Sequence, residues 1–262
     1  MSSINDENNI AVEHLLLGRP NEASATLINA LDQYKRTCSS IDGLQAQLGQ
    51  VDNRNDLDTF LYSVEMTDEI NESAQPVLPF AWYGRPIAIA APDDETIDED
   101  AADAIIVGPE VTVACLLYNL GIAFQLECAQ SAIVNQAEEN AAFPPAPPRR
   151  THQDALHVYM MALQALLSLP PQRTAQRNTI SERLSLGVLH LAIANNLLYV
   201  HAQLIDMDGV KTCLAVLRDA LARICHGLPQ EHMEEFSFFL KNTLLFPSNY
   251  GSTFSLPLAP AA

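Results

Sequence analysis

Apolar residues return at steps of four and three along three separate stretches of this chain. Ala23, Leu27, Ala30 and Leu31 mark the first, Ala155, Tyr159, Ala162 and Leu163 the second, and Cys213, Leu217, Ala220 and Leu221 the third. Such spacing places all four side chains on one face of an α-helix. A small residue in the leading position lets a neighbouring helix approach closely, and the large residue four later fills the groove beside it. Each stretch follows another apolar segment with an asparagine near its middle: Asn9-Ile10-Ala11, Asn119-Leu120-Gly121 and Asn196-Leu197-Leu198. The pattern predicts three helix pairs. A further amphipathic stretch opens at Pro229 and runs through about Phe246, with Phe236, Phe239, Leu240 and Leu244 at helical spacing. It would cap the open end of a stack.

Residues 52–110 break the helical period. Thr59 to Met66 alternates as a half-buried strand does, and Val77–Tyr83 and Ile87-Ala88-Ile89 form two more short extended pieces, joined at Gly84-Arg85-Pro86. This section is expected to be an insertion carrying a small β-ribbon against the helical body. Within it, Asp93 to Asp103 is an acidic loop. Residues 137–150 include Phe143-Pro144-Pro145-Ala146-Pro147-Pro148-Arg149-Arg150, which cannot continue a helix and predicts an exposed loop. Residues 247–262 are poor in charge and rich in turn formers, and predict an extended tail.

The paired stretches resemble the tetratricopeptide repeat, whose signature runs across two helices. Leu117, Leu120-Gly121 and Phe124 match its first helix, and Ala155, Tyr159 and Ala162 match its second. In the first unit Ala11 and Ala23 are 12 residues apart, with Gly18 placed to close the turn. In the second, Gly121 and Ala155 are 34 apart, and in the third no glycine follows Leu197. The resemblance implies a mainly α fold, a single domain over 1–262 built as an α-solenoid of stacked helix hairpins whose first helices line a groove. Family members that clamp a C-terminal carboxylate use an asparagine in this register and a cation four residues earlier. Asn5, Cys115 and Ala192 occupy the cation positions here, so the clamp is not supported.

Charge narrows the partners. The formal net charge is -18, from 32 acidic and 14 basic residues. Residues 52–110 hold 15 of the acidic and 2 of the basic ones, which is -13 of the total. Such a field repels phosphates, so neither nucleic acid nor an anionic membrane is expected as partner. Leu184 to Ile205 carries no charge over 22 residues, long enough to span a bilayer. It also holds His190, Asn195, Asn196, His201 and Gln203, which one helix in hydrocarbon could not satisfy, and a buried central helix is the expectation. The five cysteines are odd in number and form no Cys-x-x-Cys pair. With an N-terminus lacking the basic-then-apolar order of a signal peptide, they point to a reduced intracellular compartment, the cytoplasm.

Candidate chemistry is sparse. The chain has no Gly-x-Ser-x-Gly elbow, no phosphate loop and no Gly-x-Gly-x-x-Gly turn. In the run from Asp93 to Asp103, Ile97 and Ala101 interrupt the alternate oxygen ligands of a calcium loop and Gly108 lies too late, and the seven histidines form no His-x-x-x-His pair. No catalytic residue, metal site or cofactor is expected. The expectation is a non-catalytic scaffold presenting a helical groove to a peptide or helix of a partner protein. Asn119, Tyr118, Ile122, Gln125, Asn195, Asn196, Tyr199 and Gln203 fall in the groove register. The same asparagines could instead bond neighbouring helices. The alternative is a structural subunit of a larger assembly that meets a basic partner through the acidic insertion.

Overall fold

The computed structural model describes residues 3–48, 60–63, 82–90, 109–138, 150–169, 180–225 and 233–250. The acidic loop at Asp93–Asp103 and the tail from residue 251 lie outside them, as do residues 139–149 of the loop expected at 137–150, whose residues 137 and 138 instead close a helix. The described part is mainly helical, with one two-stranded antiparallel ribbon.

Helix α1 (Ile4–Leu16) opens on a reciprocal cap: Ser3 Oγ accepts the Asp6 N–H at 3.1 Å and Asp6 Oδ2 accepts the Ser3 N–H at 2.7 Å. It ends at Gly18, whose φ of 68° is the left-handed conformation that lets the Arg19 N–H turn back to the His14 carbonyl. Pro20 then opens α2 (Pro20–Leu48), where a missing N–H costs nothing. Helix α3 (Pro109–Glu138) is followed by α4 (His152–Leu167), which Thr151 and Asp154 cap as Ser3 and Asp6 cap α1. Helix α5 (Ile180–Gln203) turns into α6 (Met207–Cys225), and α7 (Met233–Tyr250) closes the described chain. Every helix packs on the next in sequence, and α1 also touches α3, as α5 touches α7.

The predicted faces are the buried ones. Ala23, Leu27, Ala30, Ala155, Tyr159, Ala162, Cys213, Leu217, Ala220 and Leu221 are all buried, and Leu31 and Leu163 on the same faces are half-buried. The Tyr159 ring lies against Gly121, where an added Cβ would overlap it, so these two residues set how closely α3 and α4 approach. Helices α3 and α5 have no solvated face through their middles: Ala114 to Gln125 and Leu191 to Val200 are buried throughout. Both are long and apolar enough to cross a membrane, yet 83% and 67% of their candidate spans are buried inside the fold.

What covers their remaining side is extended chain. Strand β1 (Phe60–Ser63) pairs antiparallel with β2 (Ile87–Ala90), Leu61 opposite Ile89 and Ser63 opposite Ile87. Strand β2 packs on α1 and α3, and β1 touches α5. The ribbon thus lies on the helices as expected, with narrower bounds. Of the expected strand Thr59–Met66 only Phe60–Ser63 is described. Of Val77–Tyr83 only Trp82 and Tyr83 are, and neither is in a strand.

The last helix departs from its prediction twice. It continues through Pro247 to Tyr250, so the first four residues of the predicted tail are helical. Pro247 has no N–H for the Thr243 carbonyl one turn back, and Arg218 Nη2 of α6 donates to that carbonyl at 3.2 Å instead. Its inward face is Phe236, Phe239, Asn242 and Thr243, whereas Leu240 and Leu244 are exposed. Phe236 and Phe239 of the expected cluster are thus inward while Leu240 and Leu244 are not, and Asn242 holds an inward place through a 2.7 Å bond from its Nδ2 to Asn195 Oδ1 on α5.

Candidate functional site

Three asparagines at matching positions of α1, α3 and α5 converge on residues 82–90. Each carboxamide presents one acceptor and one amino donor, which is what the N–H and C=O of a single residue in an extended chain require. The Tyr83 N–H donates to Asn196 Oδ1 at 2.7 Å, and Asn196 Nδ2 donates to the Tyr83 carbonyl at 3.0 Å. The Ile87 N–H donates to Asn119 Oδ1 at 2.9 Å, and Asn119 Nδ2 returns to the Ile87 carbonyl at 2.7 Å. The Ile89 N–H donates to Asn9 Oδ1 at 2.9 Å, and Asn9 Nδ2 returns to the Ile89 carbonyl at 2.7 Å. Helical side chains therefore act as the neighbouring strand along this edge. Main-chain groups of successive strand residues point to opposite edges, so those of Ala88 and Ala90 face β1.

Supporting bonds hold each amide in place. Asn8 Nδ2 donates to the Ile87 carbonyl at 3.0 Å, and Asn8 Oδ1 accepts from Asn119 Nδ2 at 2.9 Å. The Tyr118 hydroxyl lies 3.0 Å from the carbonyls of both Tyr83 and Arg85, a three-centre donation. Asn196 Nδ2 also donates to the Tyr159 hydroxyl at 3.1 Å, and that hydroxyl donates to Gln125 Oε1. Burial pushes the phenols of Tyr118 and Tyr159 well above the ordinary tyrosine range, so both remain protonated donors. Amides and neutral phenols can recognise a backbone; they do not shuttle protons near neutrality. Among the described residues no three His, Cys, Asp or Glu side chains are grouped to hold a metal. Burial raises the Cys128 thiol to about 11 and the Cys213 thiol to about 12, which leaves them unreactive.

Of the residues placed in the groove register from sequence, Tyr118, Asn119 and Asn196 touch the extended segment through these bonds. The others have different neighbours. Asn195 joins Asn242 of α7 and Asn196, and Gln125 joins Tyr159. Tyr199 accepts a bond from Gln203 one turn along α5, and Ile122 is fully buried. Asn8 and Asn9 were not among the expected site residues. Asn9 stood in the repeated asparagine pattern, and Asn8-Asn9 has the same doublet form as Asn195-Asn196, which was the available signal.

No family model, curated protein or solved structure matches this chain. Its function is therefore read from the site itself.

Proposed function

We propose that the protein is a non-catalytic binding scaffold of tetratricopeptide-like helix hairpins, whose asparagine-bearing groove reads the backbone of an extended peptide from a partner protein. One observation carries this reading: three side chains in equivalent positions of three helices each pair with both backbone groups of one extended residue. A buried extended segment needs a partner for each N–H and C=O on that edge, and one carboxamide supplies both, so the same row would serve any extended peptide laid on this face. The groove walls, Tyr118 and the aliphatic residues of α3 and α5, are apolar and suit an uncharged ligand.

The test is selection of peptides from a displayed random library against the whole chain. Enriched sequences are expected to read as extended segments and to lose at least tenfold in affinity against Asn119→Ala or Asn196→Ala. Asn9→Ala, at the half-buried end of the row, serves where the inner variants melt. Selected peptides indifferent to all three variants would move the binding surface elsewhere. The leading candidate would then be the acidic stretch and a basic partner in a larger assembly, given the concentration of charge in residues 52–110.

A further inference from the structure

Resting on that reading, we infer that residues 82–90 are an exchangeable occupant of the groove. They hold the place of a partner peptide that carries an aromatic residue at one position and branched aliphatic residues four and six positions later.

The grip on this segment is mostly generic. It uses the N–H and C=O of Tyr83, Ile87 and Ile89, groups that every non-proline residue of any extended peptide also has. Selectivity rests on three side chains. Tyr83 packs between Phe238 and Phe239 of α7, at ring-centroid distances of 5.5 and 4.9 Å, and Ile87 and Ile89 are buried beside α1 and α3. Arg85, by contrast, is exposed and bonds the groove through its carbonyl. A partner must therefore match an aromatic-x-x-x-aliphatic-x-aliphatic pattern and remain uncharged at those three positions.

The internal segment also carries an unsatisfied donor of its own. Trp82 Nε1 is buried without a hydrogen-bond partner among the described residues. Burial took its bond to water without a replacement, and release restores that bond. The gain on release offsets part of the advantage that tethering gives the internal segment over a free peptide. Residues 64–81 join the segment to β1, and residues 91–108 join it to α3.

Trp82 is the single tryptophan of the chain and is 3% exposed, so its emission reports the occupancy of the groove directly. The experiment titrates the whole protein with a synthetic peptide of residues 82–90 carrying Trp82→Phe, while following Trp82 emission and helical circular dichroism. A saturable red shift with unchanged helicity is expected. The midpoint should fall at least tenfold in an Ile89→Ala chain, whose internal segment competes less well. A peptide with Ile87→Pro and Ile89→Pro, lacking the two N–H groups, should not shift the emission. If the first peptide leaves Trp82 unmoved in both chains, the segment is a permanent core strand and exchange is overturned, while backbone reading of another ligand is untouched. If the proline peptide displaces Trp82 equally well, backbone reading itself is overturned. Sedimentation of the protein alone adds a last arm: a dimer with Trp82 still buried would make a second copy the occupant and overturn a foreign partner.

Discussion

Ile205 is held at φ 58° in the turn between α5 and α6, where the Asp206 N–H reaches back to the His201 carbonyl at 2.9 Å. The turn between α1 and α2 has the same geometry with Gly18 in that place. A β-branched residue in the left-handed region carries about 1–2 kcal/mol of strain. Glycine there would relieve it at a cost of about 0.5–1 kcal/mol in unfolded-chain entropy. Because Ile205 is 72% exposed, little packing is lost. Ile205→Gly is therefore expected to stabilise the protein by about 0.5–1 kcal/mol, a rise in urea midpoint with unchanged slope. Tyr159 gives the opposite expectation. Its hydroxyl links Gln125 of α3 to Asn196 of α5. Tyr159→Phe keeps the ring over Gly121 but strands Gln125, whose Nε2 already has no partner among the described residues. The expected loss is about 1–3 kcal/mol by chemical denaturation.

At the scale of elements, β2 depends on side chains of helices as much as on β1. Asn119→Ala leaves the buried Ile87 N–H without its acceptor and should cost about 1–3 kcal/mol. Asn119→Asp is more informative. The carboxylate still accepts the Ile87 N–H, but it loses the amino group and sets a negative charge against the Ile87 carbonyl and Asn8 Oδ1. Burial and these neighbours raise the folded-state pKa of such an acid above its unfolded value. Between the two values the folded state binds the extra proton, so stability rises as pH falls through that window. Asn119→Asp is thus expected to be less stable than the parent at neutral pH and to recover part of the difference on acidification. A pH-independent deficit in urea titrations would show that the lost amino donor, and not the charge, decides. The helical half of this picture was legible beforehand. Leu27, Tyr159 and Leu217 lie on buried faces because a period near 3.6 with a small leading residue reports helix packing. Leu240 and Leu244 were misjudged, since a periodicity cannot see that Asn242 has a buried partner on another helix.

For the whole molecule, an exchangeable segment implies two levels of stability. Trp82 emission should change at a lower urea concentration than the loss of helical circular dichroism, because the segment can open while the helices remain packed. The Asn196→Ala chain should widen that separation, having lost both bonds to Tyr83. Coincident transitions in parent and variant would mean that helices and segment form one cooperative unit.

The sequence by itself determined the paired helices, the buried faces of α2, α4 and α6 and the turn at Gly18, because those follow from periodicity and from the conformational freedom of single residues. It also singled out Asn119 and Asn196 as unusual polar groups on apolar helices. Only the tertiary structure decided what they meet. Asn196 and Tyr83 are 113 residues apart, and Asn9 and Ile89 are 80 apart, connected by stretches with no local pattern that couples them. A carboxamide satisfies a helix neighbour, a foreign peptide or the chain's own backbone with the same two bonds, so its residue type cannot say which is present. The choice fell to residues 82–90 because the apolar sides of α3 and α5 needed cover, and an extended segment could lie there only where side chains replaced the strand it lacked on one edge.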